Sequence, residues 1–303
     1  MNSEDIIMKK GNSPDPIKVL CYMNKNMYGV YDDSSSYFLE NMFKDSELEV
    51  TVSFKPEPKL AEDNDVIFTR FEIPIKYDFL TKLEKYDDGS RIFINSPKAK
   101  KKYWTKDYME LFLDFGYFPP TWVSNDSEEL AKASLDYQDR MIVKPLDLNG
   151  GKGIEDIYPL KHSKEELIKY FNRFTNEGKK KVILQSFIEG VEKYGDKRIN
   201  VLFYEPCSAF LRYPKKGSYI CNISAGGKSA EADINERDYE VVKGLESFFK
   251  NNGITWAGID MIGPYLSEIN VASPGGLYDA DYYNNNTKGL DHLISSIKKI
   301  KFK

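Results

Sequence analysis

The sequence is poor in the residues that build several common sites. Histidine occurs twice in 303 residues, as His162 and His292, and neither has a ligand cluster beside it. That argues against a histidine-built zinc site. Cysteine occurs three times, as Cys21, Cys207 and Cys221, without paired spacing. Free thiols in a reducing, cytoplasmic setting are expected rather than a disulfide framework. No apolar run approaches the roughly 18 residues of a membrane span. The opening MNSEDIIMKK is polar and acidic, unlike the basic-then-apolar layout of a secretory signal. There is no surplus of positive charge, the net being −4, and no basic stripe with interleaved aromatics. Both absences argue against a nucleic-acid module. Internal repeats and low-complexity tracts are also missing.

What is present describes a globular chain. Hydrophobic residues make up 41%, aromatics 14% and charged residues 30%, which suits well-filled cores. The length allows two domains or one subdivided domain. Residues 1–15 read as a flexible lead-in. After them IKVLCYM, LEVTVSF, DVIFTRF and RIFINSP read as strands. They alternate with helical SSSYFLENMFKD, KYDFLTKLEKYDDG and KKYWTKDYMELFLDFG. This alternation predicts an α/β layer with a largely parallel sheet over 1–118. Pro119 and Pro120 then break the pattern. The remainder reads as α+β, divided at residue 188 into 119–188 and 189–303. Two amphipathic helices stand out there, one presenting Leu167, Phe171 and Phe174, the other Val242, Leu245 and Phe249. TWAGIDMIG and YLSEINV read as paired strands joined by a two-residue Pro264-Tyr265 connection after Gly263.

Two phosphate-binding patterns fail. DLNGGKGI has Leu146 where a Walker A loop needs glycine, NISAGGKS has Asn222 there, and no GxGxxG occurs. What remains is a strand carrying Lys144 that enters a loop with Gly150, Gly151 and Gly153. Backbone N–H groups there can turn toward an anion; an ordinary glycine hairpin fits equally well. At the far end GIDMIGPYLSEINVASP carries Asp260, Glu268 and Asn270. Glu268 and Asn270 are two apart on a strand and share a face, and Asp260 on the partner strand reaches the same face. Such oxygens suit Mg²⁺, although a solvated sheet face with a stray ion pair would look the same. The lysine–glycine loop upstream tips the balance toward a metal–phosphate site.

In order along the chain, DSSSYFLENM, DVIFTRFEIP, IVKPLDLNGGKGI, LQSFI, GDKRINV, LRYP, NISAGG, GIDMIG and EINVASP resemble the prokaryotic glutathione synthetases of the ATP-grasp superfamily. The resemblance runs from about residue 17 to the end. It implies a Rossmann-like pre-ATP-grasp domain followed by two α+β subdomains enclosing ATP. It also implies amide formation through an acyl phosphate, ATP with two Mg²⁺ ions (Mn²⁺ as an alternative), small-molecule substrates and a homo-oligomer. By the same resemblance Lys106 and Lys144 reach the nucleotide phosphates. Asn149, Gly150, Gly151, Lys152 and Gly153 belong to the lid over them, with Gln185, Ser186, Phe187 and Ile188 on the adenine edge and Asp196 at the ribose. Arg198 and Arg212 serve the acid substrate and the reacting centre. Asp260, Glu268 and Asn270 hold the metal, while Asn222, Gly226, Gly227, Ser273, Gly275 and Gly276 contact substrate.

Two departures stand out. Ile220 occupies the position of a family arginine, two residues before Asn222. Losing such a cation costs about 3–4 kcal/mol of transition-state stabilisation unless another, such as Lys216 or Lys228, replaces it. After Pro274 the chain reads GGLYDADYYNNN instead of a charged substrate segment. Gly275 and Gly276 there either offer N–H groups to a carboxylate or cap a helix. The expected function is therefore ligation of γ-glutamylcysteine to glycine. The alternatives are ligation of another peptide or amino acid, and an ATP-binding relative that has lost turnover.

Overall fold

The computed structural model describes residues 5–9, 11, 13–29, 34–71, 76–146, 148 and 150–300. Asn149, expected in the lid, lies outside the described residues. The first layer contains β1 (Ile6–Lys9), β2 (Ile17–Met23), α1 (Ser34–Met42), β3 (Leu48–Ser53), β4 (Val66–Arg70), α2 (Tyr77–Leu83), β5 (Ile92–Ile94) and α3 (Pro97–Lys102). The strands form one sheet in the order β1-β3-β2-β4-β5. All of its pairings are parallel except β1 with β3, as expected for strands linked by crossover helices. The lead-in expected over 1–15 is corrected at β1, where the short apolar run Ile6-Ile7-Met8 adds an antiparallel edge to β3.

A second correction helps to place the site. KKYWTKDYMELFLDFG is not one helix: α3 stops at Lys102, and a 3₁₀ segment runs over Asp107–Phe115. The Thr105 hydroxyl donates to Asp107 Oδ1 at 2.7 Å, a local bond that competes with helix continuation. Beyond the break Tyr108, Met109 and Phe112 are buried in the largest core, and Lys106 is left at the junction, in the site.

The second layer contains β6 (Thr121–Ser124), α4 (Ser127–Tyr137), β7 (Met141–Pro145), β8 (Glu155–Ile157), α5 (Lys164–Thr175) and β9 (Val182–Ser186). Its antiparallel sheet has the order β6-β9-β7-β8. Asp126 caps α4, and Ser163 with Glu166 forms a capping box on α5. Leu167 and Phe171 of α5 pack with Leu130, Met141, Val143 and Leu184 on one face of the sheet. The other face carries Ile142, Lys144 and Gln185.

The third layer contains α6 (Val191–Tyr194), β10 (Asp196–Leu202), β11 (Glu205–Tyr213), β12 (Lys228–Glu231), α7 (Glu236–Asn251), β13 (Trp256–Ile262), β14 (Tyr265–Asn270), α8 (Leu277–Tyr283) and α9 (Lys288–Lys298). Its antiparallel sheet has the order β12-β11-β10-β13-β14. Phe203 and Tyr204, both at positive φ, turn β10 into β11. Gly263 and Pro264 turn β13 into β14. Tyr265 already pairs with Ile262, so the expected connection shifts by one residue. Val242, Leu245 and Phe249 of α7 cover the face bearing Ile199, Ile259 and Met261. Burying each such side chain is worth roughly 1.5–3 kcal/mol, which commits that face to the core and leaves the other for chemistry.

Buried polar ties join the first layer to β13 and to the chain after β14. The Asn95 amide donates to the carbonyls of Trp256 (2.6 Å) and Val271 (2.8 Å). Lys100 Nζ donates to Thr69 O (2.7 Å) and Ala272 O (2.6 Å). Arg70 donates to Pro274 O at 2.6 Å and lies over the Trp256 ring. Each tie supplies charged or amide donors to carbonyls that would otherwise be buried unpaired.

Candidate active site

The third sheet carries a continuous polar row. Directly opposed residues of antiparallel strands point to one face. Ser229 opposes Arg212, Arg212 opposes Asp196, Arg198 opposes Asp260, and Asp260 opposes Glu268. Asn270 opposes Gly258, two residues before Asp260, and joins the same face. Strands far apart in sequence thus place three carboxylates and two guanidiniums side by side.

The row is tightly bonded. Arg198 holds Asp260 with two bonds, Nε to Oδ1 at 2.5 Å and Nη2 to Oδ2 at 3.0 Å, and donates Nη1 to Gly275 O at 3.1 Å. Arg212 Nη2 reaches Asp196 Oδ2 (2.7 Å) and Asp260 Oδ1 (2.9 Å). Burial alone would push the Asp260 carboxyl up, but the Arg198 and Arg212 guanidiniums together hold it well below the usual range. For Asp196 burial wins over the pull of Arg212, and its carboxyl is pushed up. One shared guanidinium therefore serves two acids unequally: Asp260 has a second partner and Asp196 has none.

Lys106 and, from the second layer, Lys144 approach the Glu268 end of this row. Lys106 Nζ lies 2.9 Å from Glu268 Oε1 and donates to Leu148 O, in the glycine loop, at 2.9 Å. Lys144 Nζ donates to Gln185 Oε1 at 2.8 Å, and Gln185 Nε2 donates to Thr121 Oγ1 at 2.8 Å. Burial pulls the Lys144 ammonium below its ordinary pKa, against the Glu268 charge, while Lys106 pulls it lower still. A cavity of about 30 Å³ lies between the loop and β14, lined by Lys106, Lys144, Gly151, Lys152, Asn222 and Glu268. Lys106, Lys144, Lys152, Arg198 and Arg212 face Asp196, Asp260 and Glu268, five cations against three carboxylates. The excess of two positive charges favours a polyanion. Lys106 also borders a larger cavity of about 120 Å³ with Phe71, Trp104, Asn270 and Ser273.

The donor set fits a hard divalent ion. Glu268 uses one oxygen toward Lys106, and Asn270 turns its Nδ2 toward Asp260 Oδ2 at 3.4 Å. Their remaining oxygens suit Mg²⁺. Both Asp260 oxygens are engaged by guanidiniums. Among the described residues no group of three His, Cys, Asp or Glu side chains could hold a metal; the set here has two carboxylates and one carboxamide.

Several residues sit differently from what the resemblance implies. Asp196 lies in the row beside Arg212, and Arg198 is committed to Asp260 rather than open to a substrate carboxylate. The Gly276 N–H donates to Ser34 Oγ at 2.9 Å and Gly276 caps α8, so the helix-cap alternative holds and that N–H is not open to a carboxylate. The Gly275 carbonyl accepts from Arg198. On the expected adenine strand, Ser186 N–H donates to Pro120 O and Phe187 N–H to Arg140 O; Gln185 points its side chain at Lys144. Ile188 follows them and borders a cavity with Pro119 and Tyr265. Gly226 turns with φ +89°, and Gly227 backs so closely onto Cys221 that a Cβ would lie 2.2 Å from its carbonyl. Lys216 and Lys228 are exposed. Lys228 neighbours Ser229 in β12 and so faces away from the row. Lys152, rather than either of them, is the further cation at the cavity between the loop and β14. Ser34, within DSSSYFLENM, and Ser229, at the end of NISAGGKS, were given no role by the sequence, and β12 is too short and polar to show periodicity.

Ile220 is placed against the loop. A Cβ at Gly151 would lie 2.5 Å from Ile220 Cγ2 and 2.9 Å from Asn222 Oδ1, and Gly151 has φ +75°. Gly151→Ala is therefore expected to raise the KM for ATP by roughly tenfold, the cost of a strained left-handed residue, with little change in melting temperature. Steady-state kinetics beside a thermal melt check this; an unchanged KM would mean that the loop does not close on the nucleotide.

Comparison with known proteins adds ancestry to this geometry. Residues 108–285 match the family described as prokaryotic glutathione synthetase, ATP-grasp domain. The chain is 33% identical over 207 residues to the glutathione synthetase of Thermosynechococcus vestitus, covering 68% of this chain but only 63% of that protein. It is 32% identical to that of Gloeobacter violaceus, over 72% of this chain and 67% of that one. It is 28% identical to that of Pseudomonas aeruginosa, over 98% and 86%. Among solved structures, a D-cycloserine synthetase superposes with a TM-score of 0.63 at 15% identity, over 92% of this chain and 99% of that one. A Bacillus anthracis D-alanine–D-alanine ligase complexed with ATP does so with 0.61 at 15%, over 94% and 98%. At such identities the superpositions speak for the fold alone, an α/β ATP-grasp architecture.

Proposed function

Because this chain belongs to the prokaryotic glutathione synthetase family, we propose that it is an ATP-dependent carboxylate–amine ligase that joins γ-glutamylcysteine to glycine. The substrate carboxylate takes the γ-phosphoryl group of ATP, releasing ADP. The amine then attacks the acyl phosphate, forms the amide and expels phosphate. A free carboxylate is a poor electrophile, so the phosphoryl group supplies the leaving group. The protein's part is positioning and charge neutralisation.

One observation carries the reading: Lys106 ties the glycine loop, through Leu148 O, to the Glu268 carboxylate. Cationic loop and acidic sheet thereby face each other across a gap fit for phosphates. In this reading Lys106, Lys144 and Lys152 grip the triphosphate, with Gly150, Gly151 and Gly153 letting the loop backbone approach it. Glu268 and Asn270 hold Mg²⁺, with Asp260 joining when a guanidinium lets go; two ions, or Mn²⁺ in their place, remain part of the proposal. When bound, the metal neutralises phosphate charge. Arg212 orients the acid, and the Asn222–Gly227 turn and Ser273 border the substrates. The cavity beside Phe71, Trp104 and Ser273 receives one of the small-molecule substrates. Domain boundaries at 118 and 188, a cytoplasmic setting and a homo-oligomer complete the proposal; among the described residues no helix is long and apolar enough to cross a membrane.

Ile220 favours a second reading, a ligase for another peptide or amino acid, since an apolar residue now backs the loop. A ligation screen read by mass spectrometry decides, with γ-glutamylcysteine and glycine as the first pair. Phosphate release is expected only when acid and amine are both present. ATP binding without turnover across a broad panel would leave an inert ATP-binding relative instead.

A further inference from the structure

The segment between β11 and β12 carries an apolar triplet, Tyr219-Ile220-Cys221, in a run otherwise rich in lysine, glycine, serine and asparagine. The triplet reaches into the gap between the second and third layers. Cys221 is 4% exposed and belongs to a cluster with Phe187 and Val191, against which Tyr219, Ile142 and Ile262 pack. Ile142 lies two residues before Lys144 on β7, and Ile262 two after Asp260 on β13, so both point to the faces that bear the site. The Tyr219 ring stands edge-on to Phe187, with centroids 5.7 Å apart at 86°. The Arg140 guanidinium lies 3.6 Å from the Phe187 ring and 5.4 Å from that of Tyr219. The Tyr219 hydroxyl donates to Asp156 Oδ1 at 3.4 Å, and Arg140 holds Asp156 Oδ2 at 2.9 and 3.0 Å. A segment of the third layer is thus anchored in the second. Ile220 adds a contact farther along, beneath Gly151.

We propose that Tyr219, Ile220 and Cys221 form a strap that shuts the cleft between the two layers, and that the base of ATP has to displace it. The inference rests on the ATP-dependent ligase reading, since it concerns how ATP enters that site. A triphosphate held by Lys106, Lys144 and Lys152 has its nucleoside along the gap. Toward Asn270 and Ser273 the gap meets the cavity given to a substrate. In the other direction, two residues or about 7 Å along β7 and β13, lie Ile142 and Ile262, and the strap packs there. Base and strap therefore compete for one apolar space. The cavity between the loop and β14 measures about 30 Å³, room for about two waters. Among the described residues it shares no lining residue with the cavity that Ile188 borders, so that cavity does not extend it. The strap is built to leave. Gly217 and Gly226, at φ +79° and +89°, flank it. Its backbone bonds are local: Ser218 N–H donates to Lys215 O (2.9 Å), Ile220 N–H to Ser218 Oγ (3.1 Å) and Ala225 N–H to Asn222 O (2.9 Å). Such bonds travel with the segment, and release gives up mainly side-chain packing. The apparent affinity for ATP is then the intrinsic one scaled by the fraction of molecules with the strap out. A lid that closes on its ligand behaves in the opposite way.

Strap and lid give opposite signs in one measurement. The full chain is treated with iodoacetamide, with and without ADP and Mg²⁺, and mass spectrometry of its peptides reads each cysteine. Burial pushes the Cys221 thiol up to about 12, so it reacts slowly in place. ADP is expected to raise Cys221 labelling about tenfold, as the strap passes from mostly in to mostly out. Cys21, buried in the first layer, and Cys207 on β11 should keep their own rates. Pyrophosphate with Mg²⁺, which brings no base, should leave Cys221 protected. Tyr219→Ala should label faster at Cys221 without any ligand. In calorimetry it should bind ADP about tenfold more tightly, the worth of one edge-on ring contact and one cation–π contact removed from the strap. Tyr219→Phe, which keeps the ring, should stay near the wild type. ADP that binds but lowers Cys221 labelling, or leaves it unchanged, would overturn the strap. Pyrophosphate as effective as ADP would remove the base as the displacing group, and weaker ADP binding by Tyr219→Ala would make the ring part of the bound site; either result overturns the proposal. No ADP binding by wild type or variant would sink strap and ligase reading together. Failure of the ligase reading alone looks different: ADP still frees Cys221 while no acid–amine pair releases phosphate.

Discussion

Glu268→Gln is expected to cut ATP-dependent turnover about 10³-fold, the scale of losing a preorganised charge at a reacting centre, while the protein keeps its fold. The substitution is nearly isosteric. Glutamine still offers an oxygen to Lys106 Nζ, now 2.9 Å from the carboxylate. The Glu268 side chain is 24% exposed, so the stability change should stay on the order of 1 kcal/mol or less. What disappears is the formal negative charge on the strand that opposes Asp260. A carboxamide binds a hard divalent ion far less well than a carboxylate does. Asp260 cannot make up the loss while Arg198 and Arg212 hold both of its oxygens. Phosphate release at saturating substrates, beside a thermal melt, reads both quantities. A variant that retains a tenth of the wild-type rate would remove Glu268 from the centre of the reaction.

The legibility of this site in the sequence follows its physics. Alternation along GIDMIGPYLSEINV places Glu268 and Asn270 on one face, and the hairpin brings Asp260 directly opposite Glu268. Both steps need only local periodicity. Helix α7 of the third layer is equally readable, because Val242, Leu245 and Phe249 repeat at helical spacing and end in the core. Pairing choices inside the row were not readable. Arg198 is two residues from Asp196, yet its partner is Asp260, 62 positions away. Ser229 meets Arg212 only because β12 adds to the far edge of the sheet in that register. Long-range register is decided by the whole sheet, and a four-residue polar strand carries no pattern of its own. The break at Thr105–Lys106 was hidden for another reason. The apolar spacing of YMELFLDF suits a helix, and a side-chain bond to Asp107 overrides it locally.

Ile220 shows how an absence in sequence gains meaning from its neighbours. As a missing arginine it suggested a weakened centre. In the fold its methyl group sits under Gly151, so the loop tip rests on an apolar surface beside Asn222. Lys152, within the loop itself, borders the cavity between the loop and β14. Lys152 thus brings a cation to that cavity from the glycine loop, whereas an arginine at position 220 would bring one from the segment between β11 and β12.

Arg212→Met should give the largest loss of stability, about 3 kcal/mol or more at pH 8, as expected when one partner of a buried ion pair is removed. The damage falls unequally. Asp260 keeps its two bonds from Arg198, whereas Asp196 loses the only guanidinium bonded to it. Burial has already pushed the Asp196 carboxyl up to about 6, against the pull of Arg212, and without Arg212 it rises further. An acid whose pKa is higher in the folded state contributes stability below its unfolded value of 3.8. That contribution is lost as pH climbs through the folded value. The gap between wild type and Arg212→Met should therefore be small near pH 4 and widen through pH 6 to pH 8. Asp260 acts in the opposite sense, its depressed carboxyl losing stability only as pH falls below about 4, outside this window. Thermal melts in chelator at pH 4.5, 6 and 8 read the gap, and Asp196→Asn on the Arg212→Met background should close most of it. A gap independent of pH, or one that the second substitution does not close, would place the cost in lost packing of the arginine stem. Asp196 would then not be the strained acid of the row, and the unequal sharing of Arg212 between the two carboxylates would carry no energetic weight.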